Sequence, residues 1–288
     1  MKFSLLFLAA GSALLAGCSS TKHLDAEVKH VTQEFIAEQN ERLAKNAMAE
    51  GAGPQSPRDL GALIGTNKVN FLTAPASTSM NLCNIHFHHS AEHKGGEFTT
   101  FAGSGDGRGH HTGYKYSGQL NASELAPATA AACPSEHGGL KPGDTIELHY
   151  VHSSAPVKPG PTLGACLSEA VKDPYLRVQT QVMVLVNDKS AYDFGKLTEI
   201  GEKNGYQQAV NMLNHTGMPI QYAGSTTGPA YNEKPSPLKV SWSVRPQVVK
   251  VNIDSVGAWC KGNVFKEDHA HAVRNLVTRQ ELLSPIKQ

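Results

Sequence analysis

Asn84-Ile85-His86-Phe87-His88-His89-Ser90-Ala91-Glu92-His93 and Thr145-Ile146-Glu147-Leu148-His149-Tyr150-Val151-His152 together hold six of the chain's 14 histidines. Both segments are short, and both have the composition of strands. Side chains alternate faces along a strand, so His86 and His88 point one way while Phe87 and His89 point the other. Two imidazoles about 7 Å apart along one face converge on a single ion when a neighbouring strand adds a third. That third ligand is His149 or His152, and Glu147 discriminates between them. It lies two residues before His149, on the same face, where its carboxylate accepts the spare ring N–H and fixes the tautomer. His149 is therefore the better ligand. Three neutral imidazoles with one open position are the donor set of a catalytic zinc site.

Outward from these segments, the chain beyond residue 60 keeps the same grain. Apolar runs are short, β-branched or alternating, and separated by Gly, Pro and Asn, at 84–88, 145–152, 178–186, 238–244 and 248–253. The pattern belongs to a sheet-dominated domain. One helix is expected over Leu197 to Leu213. Gly95 to Gly143 is rich in Gly, Ala, Ser and Thr and is expected to be a long surface excursion, stapled through Cys133.

The N-terminal part differs in kind. Met1-Lys2, the apolar run Phe3 to Ala10, and Leu15-Ala16-Gly17-Cys18 have the form of a lipoprotein signal peptide over residues 1–17. The apolar stretch is shorter than the roughly 20 residues of a membrane span. Cys18 is then the acylated mature N-terminus, tied to a membrane by lipid. Ser19 rather than Asp after it points to the outer membrane of a cell envelope. Residues 18–59 are expected to form a lipid-anchored stalk and linker. Leu24, Val28, Val31 and Phe35 recur at steps of four and three, as on an amphipathic helix, until Gly51-Ala52-Gly53-Pro54 breaks it. The stalk is expected to act as a spacer.

With Cys18 assigned to lipid, Cys83, Cys133, Cys166 and Cys260 remain, an even number in an oxidising compartment. Two disulfides are expected, in any of three pairings. A four-thiolate zinc site is the alternative, although no CxxC spacing is present. The formal net charge is only +1 and no basic run carries interleaved aromatics, so the electrostatic footprint of a nucleic-acid binder is missing.

The histidine segments also carry a resemblance. Residues 86–93 resemble the HFHxPSEH segment of bacterial alpha-class carbonic anhydrases, and residues 147–152 resemble their ExHxVH strand. Tyr222-Ala223-Gly224-Ser225-Thr226-Thr227-Gly228-Pro229, with Trp242 beyond it, is similar to the family's YxGSLTTPP segment and the apolar strand that follows. The long stretch from Lys94 to Ile146, together with the NLCNIHFH opening at Cys83, looks closest to the delta class. The resemblance implies a single mainly β (α+β) domain over residues 60–288, built on a large twisted, mostly antiparallel sheet with a few peripheral helices, zinc on His86, His88 and His149, and reversible hydration of carbon dioxide to bicarbonate and a proton. It implies that Thr227 and Glu92 orient the nucleophile at the metal, and that Val151, Val182, Val240 and Trp242 line the carbon dioxide pocket. By softness alone three imidazoles also suit Co, Cu or Ni; a tetrahedral open site without redox chemistry favours zinc.

No counterpart of the GHxxxV segment that carries the alpha-class proton relay is present. His110 and His111, between Gly109 and Gly113, are the candidate replacements. Two other functions fit the same histidines: a non-catalytic envelope lipoprotein that binds metal, and a zinc hydrolase acting on esters. Thr227, Glu92 and Glu147 argue against the first, because metal storage has no use for them.

Overall fold

A computed structural model describes residues 29–287. The lipobox cysteine Cys18, and Leu24 and Val28 of the expected stalk helix, lie outside them. Five strands form the central sheet: β1 (Asn81–His89), β6 (Thr145–Ser153), β7 (Leu176–Val186), β10 (Ile220–Ser225) and β11 (Lys239–Asn252), in the order β1-β6-β7-β11-β10. Only the β7–β11 pair is parallel, so the mostly antiparallel expectation holds. The two apolar runs at 238–244 and 248–253 form one long strand. Its register with β7 slips between Arg245 and Val249, around Pro246, which has no N–H to give a ladder.

Alternation sorts the side chains of this sheet into two cores. Ile85, Phe87, Leu148, Tyr150, Met183, Leu185 and Val251 pack on one face against Val256 and Trp259 of helix α3 (Ile253–Trp259). On the other face Val151, Val178, Val182, Tyr222, Val240 and Trp242 form a second cluster. Phe87 and His86 thus diverge to opposite faces, as period-2 geometry requires.

Three hairpins decorate the sheet. Within the expected excursion, β2 (Thr100–Ser104) pairs with β3 (Thr112–Lys115), and β4 (Ala132–Ser135) with β5 (Gly138–Leu140). The third overturns an expectation: Leu197 to Leu213 is not a helix. Helix α2 covers only Phe194–Leu197, and the chain then turns into the hairpin β8 (Ile200–Lys203) and β9 (Tyr206–Ala209). The reason is Asn204-Gly205, both at positive φ (54° and 80°), the pair that a two-residue hairpin turn demands.

The N-terminal helix α1 (Gln33–Ala49) starts later than expected, capped by the Thr32 side chain accepting from the Phe35 N–H; of the predicted apolar stripe, Val31 precedes the helix and Phe35 lies on its exposed side. The helix is not a spacer. Leu43, Ala44 and Ala47 bury against Val277, Leu282 and Leu283. Gln39 donates to the Gly107 carbonyl and accepts from Asn275, so the helix is bound by polar contacts as well. The segment after it is no free linker either, since Gln55, Ser56 and Arg58 are buried. An apolar stripe of this kind is stabilised most by covering it, and the domain offers the cover. No helix among the described residues is long and apolar enough to cross a membrane.

Two disulfides resolve the cysteine pairing, Cys83–Cys166 and Cys133–Cys260. Each closes a loop long enough to be worth about 4–5 kcal/mol in the chain-entropy picture. The first ties a bulge of β1 to the turn that follows β6; the second ties the β4–β5 hairpin to the end of α3.

Candidate metal centre

The register of β1 on β6 assembles the centre. His86 stands opposite His149, and His88 opposite Glu147, on the face that carries Val151 and Trp242. One ring nitrogen from each of His86, His88 and His149 comes within 4.8 Å of the other two. His152 points into the other layer, its Nδ1 against the Tyr150 carbonyl, as expected from its position one face away from Glu147.

Hydrogen bonds fix all three tautomers. His86 Nδ1–H donates to Asn84 Oδ1 (2.6 Å), whose amide is held by the Gly160 carbonyl. His88 Nδ1–H donates to the Ala272 carbonyl (2.7 Å), and His149 Nε2–H to Glu147 Oε1 (2.7 Å). These partners accept, so the rings present bare lone pairs at His86 Nε2, His88 Nε2 and His149 Nδ1. His86 Nε2 and His149 Nδ1 stand 3.3 Å apart with no proton between them. Buried His88 Nε2 has no hydrogen-bond partner among the described residues. Facing lone pairs repel unless a cation lies between them. Two nitrogens bound at about 2.0–2.1 Å in a tetrahedron are separated by about 3.3 Å, so the donor set fits zinc.

Burial, reinforced by the neighbouring imidazoles, pushes His86 well below the usual histidine range, and burial pulls His88 down to about 4. His149 is lowered too, by burial that outweighs the pull of Glu147. All three are therefore neutral at physiological pH. That is the form a metal requires.

Glu147 is the hub behind the ligands. Its Oε1 accepts from both His149 and His93 Nδ1 (2.7 Å), and its Oε2 accepts the His93 backbone N–H (3.1 Å). His93 Nε2 in turn accepts from the Tyr222 hydroxyl (2.6 Å). Burial alone would raise the Glu147 carboxyl; His93 and His149 hold it well below its ordinary value. Glu92 is equally buried. One oxygen accepts the Arg274 backbone N–H (2.8 Å), and the other has no hydrogen-bond partner among the described residues. Burial raises its pKa, against which the Thr227 hydroxyl is one of the groups favouring the charged form.

The centre opens on a cavity of about 250 Å³. Val151, Val240 and Trp242 line it, with Leu176 and Val178, and Thr226 and Thr227 at its edge. Val182 does not. It pairs with Glu147 across β6–β7 and is wholly buried within the apolar cluster on the same face, behind the cavity wall. His110 and His111 stand apart from this cavity, in a neighbouring pocket.

The cavity also holds an ionisable pair that the sequence reading did not single out, His271 and Glu267. His271 lines it, its side chain 41% exposed and hydrogen-bonded through Nε2 to Glu267. Its backbone extends the sheet edge beside β1, with His89 N–H donating to the His271 carbonyl and His271 N–H to that of Phe87. Burial opposes its protonation, but the Glu267 hydrogen bond and charge prevail and raise its pKa. The spacing His269-Ala270-His271 repeats His86-Phe87-His88 and was the available signal. It sits in a stretch without apolar alternation.

The family model of the delta carbonic anhydrases matches residues 77–255, well over half of the chain. No curated protein matches it in sequence. Among solved structures it is similar to a hyperthermostable carbonic anhydrase identified from an active hydrothermal vent chimney (16% identity, 82% of this chain and 90% of that one, TM-score 0.29). It is also similar to the alpha-carbonic anhydrase of Thermovibrio ammonificans in complex with sulfanilamide (17%, 81% and 88%, TM-score 0.28). A third is the alpha-carbonic anhydrase of Photobacterium profundum (14%, 87% and 97%, TM-score 0.26).

Proposed function

The chain belongs to the delta carbonic anhydrase family, and from that premise we propose that it catalyses the reversible hydration of carbon dioxide to bicarbonate and a proton, with zinc on His86, His88 and His149. The observation that carries the reading is the convergence of three bare imidazole nitrogens, one with no hydrogen-bond partner among the described residues, at the floor of an apolar-walled cavity.

Zinc at this position supplies a Lewis acid that makes water reactive near neutral pH. The protein's residues do the rest. Glu147 holds the His149 ring in one tautomer and orientation, and His93 and Tyr222 hold Glu147. With its hydroxyl turned to the Glu92 oxygen that has no other partner, Thr227 would keep its own oxygen only as an acceptor. It then orients a nucleophile's O–H and with it the attacking lone pair. Val151, Val178, Val240 and Trp242 give an uncharged linear substrate a surface that does not compete with water for it. The cavity holds such a molecule along with several waters, each of which takes about 30 Å³. His271 lines this cavity and keeps its side chain 41% exposed, so we infer that its ring carries the product proton away in place of the candidates His110 and His111.

The test is stopped-flow carbon dioxide hydration with metal content measured on the same protein. Activity should vanish on chelation and return with zinc. Zinc-loaded protein without activity would favour the metal-binding reading instead. The envelope location rests on the lipobox: we propose that Cys18 carries lipid at the outer membrane, and Cys18→Ser should release the protein from the membrane fraction. Continued lipid labelling of that variant would refute it.

A further inference from the structure

The chain gathers histidines a second time, behind β1. His89 faces away from the metal cavity, and around it stand His110 and His111 from the β2–β3 loop and His137 from the β4–β5 turn. Next to them, ligand atoms of Asp106, His110 and His137 all come within 4.8 Å of one another. The His110 and His137 rings stack with centroids 3.4 Å apart and planes at 16°.

We propose that Asp106, His110 and His137 form a second metal site, for a divalent transition ion such as zinc or nickel, distinct from the centre on His86, His88 and His149. Two imidazoles and one carboxylate are a donor set these ions accept, and they leave a coordination position for water. The three side chains come from two hairpin loops, and each loop is anchored. Gly109 lies at φ +102°, where a side chain would strike the Val273 carbonyl, and Gly105 at +61°, where it would strike that of His110. Only glycine allows the β2–β3 loop to close this tightly. The β4–β5 turn is held from behind by Cys133–Cys260.

Asp106 Oδ1 accepts the backbone N–H groups of Arg108 and His110 (2.8 and 3.1 Å), which leaves its second oxygen for an ion. Those bonds, against the opposing effect of burial, keep the carboxyl below its usual range. Burial and His137 lower His110, so its ring is neutral near pH 7. The His110 ring makes no hydrogen bond among the described residues. The site faces a broad solvent-filled cleft that His30, His111, Lys141 and Asp144 also line, so an ion here exchanges freely. By contrast the first centre is buried. The second site should therefore bind more weakly and release its ion first.

Equilibrium dialysis of the metal-free protein against graded zinc tests this. Wild-type protein should take up two equivalents, one tight and one at least 10-fold weaker. His110→Ala/His137→Ala should lose the weak equivalent and keep the tight one, and His88→Ala should lose the tight one and keep the weak. Asp106→Asn/His137→Gln is the gentler variant, because an asparagine oxygen still accepts the two backbone N–H groups. It too should bind one equivalent. Saturation of the wild type at one equivalent, or two equivalents retained by either loop variant, would overturn the proposal.

Discussion

Replacing Glu147 by Gln tests the link between fold and metal most directly. The carboxylate is wholly buried and accepts three hydrogen bonds, two of them at 2.7 Å from His149 and His93. Bonds to a charged acceptor are worth about 1.5–3 kcal/mol and neutral ones about 0.5–1.5. Gln keeps one accepting oxygen, so His149 Nε2–H either retains a neutral bond or meets an amide N–H. The contact with His149 then weakens by about 1–2 kcal/mol, and part of the tautomer preference that bares Nδ1 is lost. That difference corresponds to a rise of about 10-fold in the zinc dissociation constant, and up to 100-fold if the ring reorients. Competition against a chelating dye on the metal-free protein measures it, with near-ultraviolet circular dichroism to show that Glu147→Gln still folds. An affinity within twofold of wild type in a folded variant would refute the tautomer argument, and with it the role given to Glu147.

His149→Ala should lose nearly all tight zinc while His152→Ala keeps it, because His152 bonds Tyr150 on the opposite face; the reverse pattern would displace the ligand assignment. Thr227→Ala should retain zinc yet lose roughly 10²-fold in turnover, the scale for misorienting a reacting group; unchanged kcat would remove Thr227 from the mechanism. His88, at about 4 in the fold against about 6.5 unfolded, refuses protons that the unfolded chain takes up. Stability of the metal-free protein should therefore fall as pH drops from 6.5 to 4, with about 3 kcal/mol of that loss due to His88. Urea titrations of wild type and His88→Gln should show a shallower pH dependence in the variant, and parallel curves would contradict the depressed value. His271→Ala should slow turnover in dilute buffer and recover with imidazole, whereas slowing confined to His110→Ala/His111→Ala would return the relay to the loop.

What depends on local geometry was legible in the sequence. Period-2 alternation put His86 and His88 on one face with Phe87 opposite, and the offset of two between Glu147 and His149 paired carboxylate with ligand; the structure has both. It also carried the turn pair Asn204-Gly205, whose preference for positive φ outweighed an apolar spacing that suggested a helix. Tertiary structure alone decided what depends on contacts between distant segments. Register between β1 and β6 brought His86 opposite His149, 63 residues away, and no local preference encodes that offset. The disulfide pairing, the burial of Val182 behind the cavity wall and the docking of α1 follow from which surfaces meet. His271 entered the cavity because β1 is a sheet edge whose unpaired backbone groups accept another strand, and the C-terminal segment supplied it.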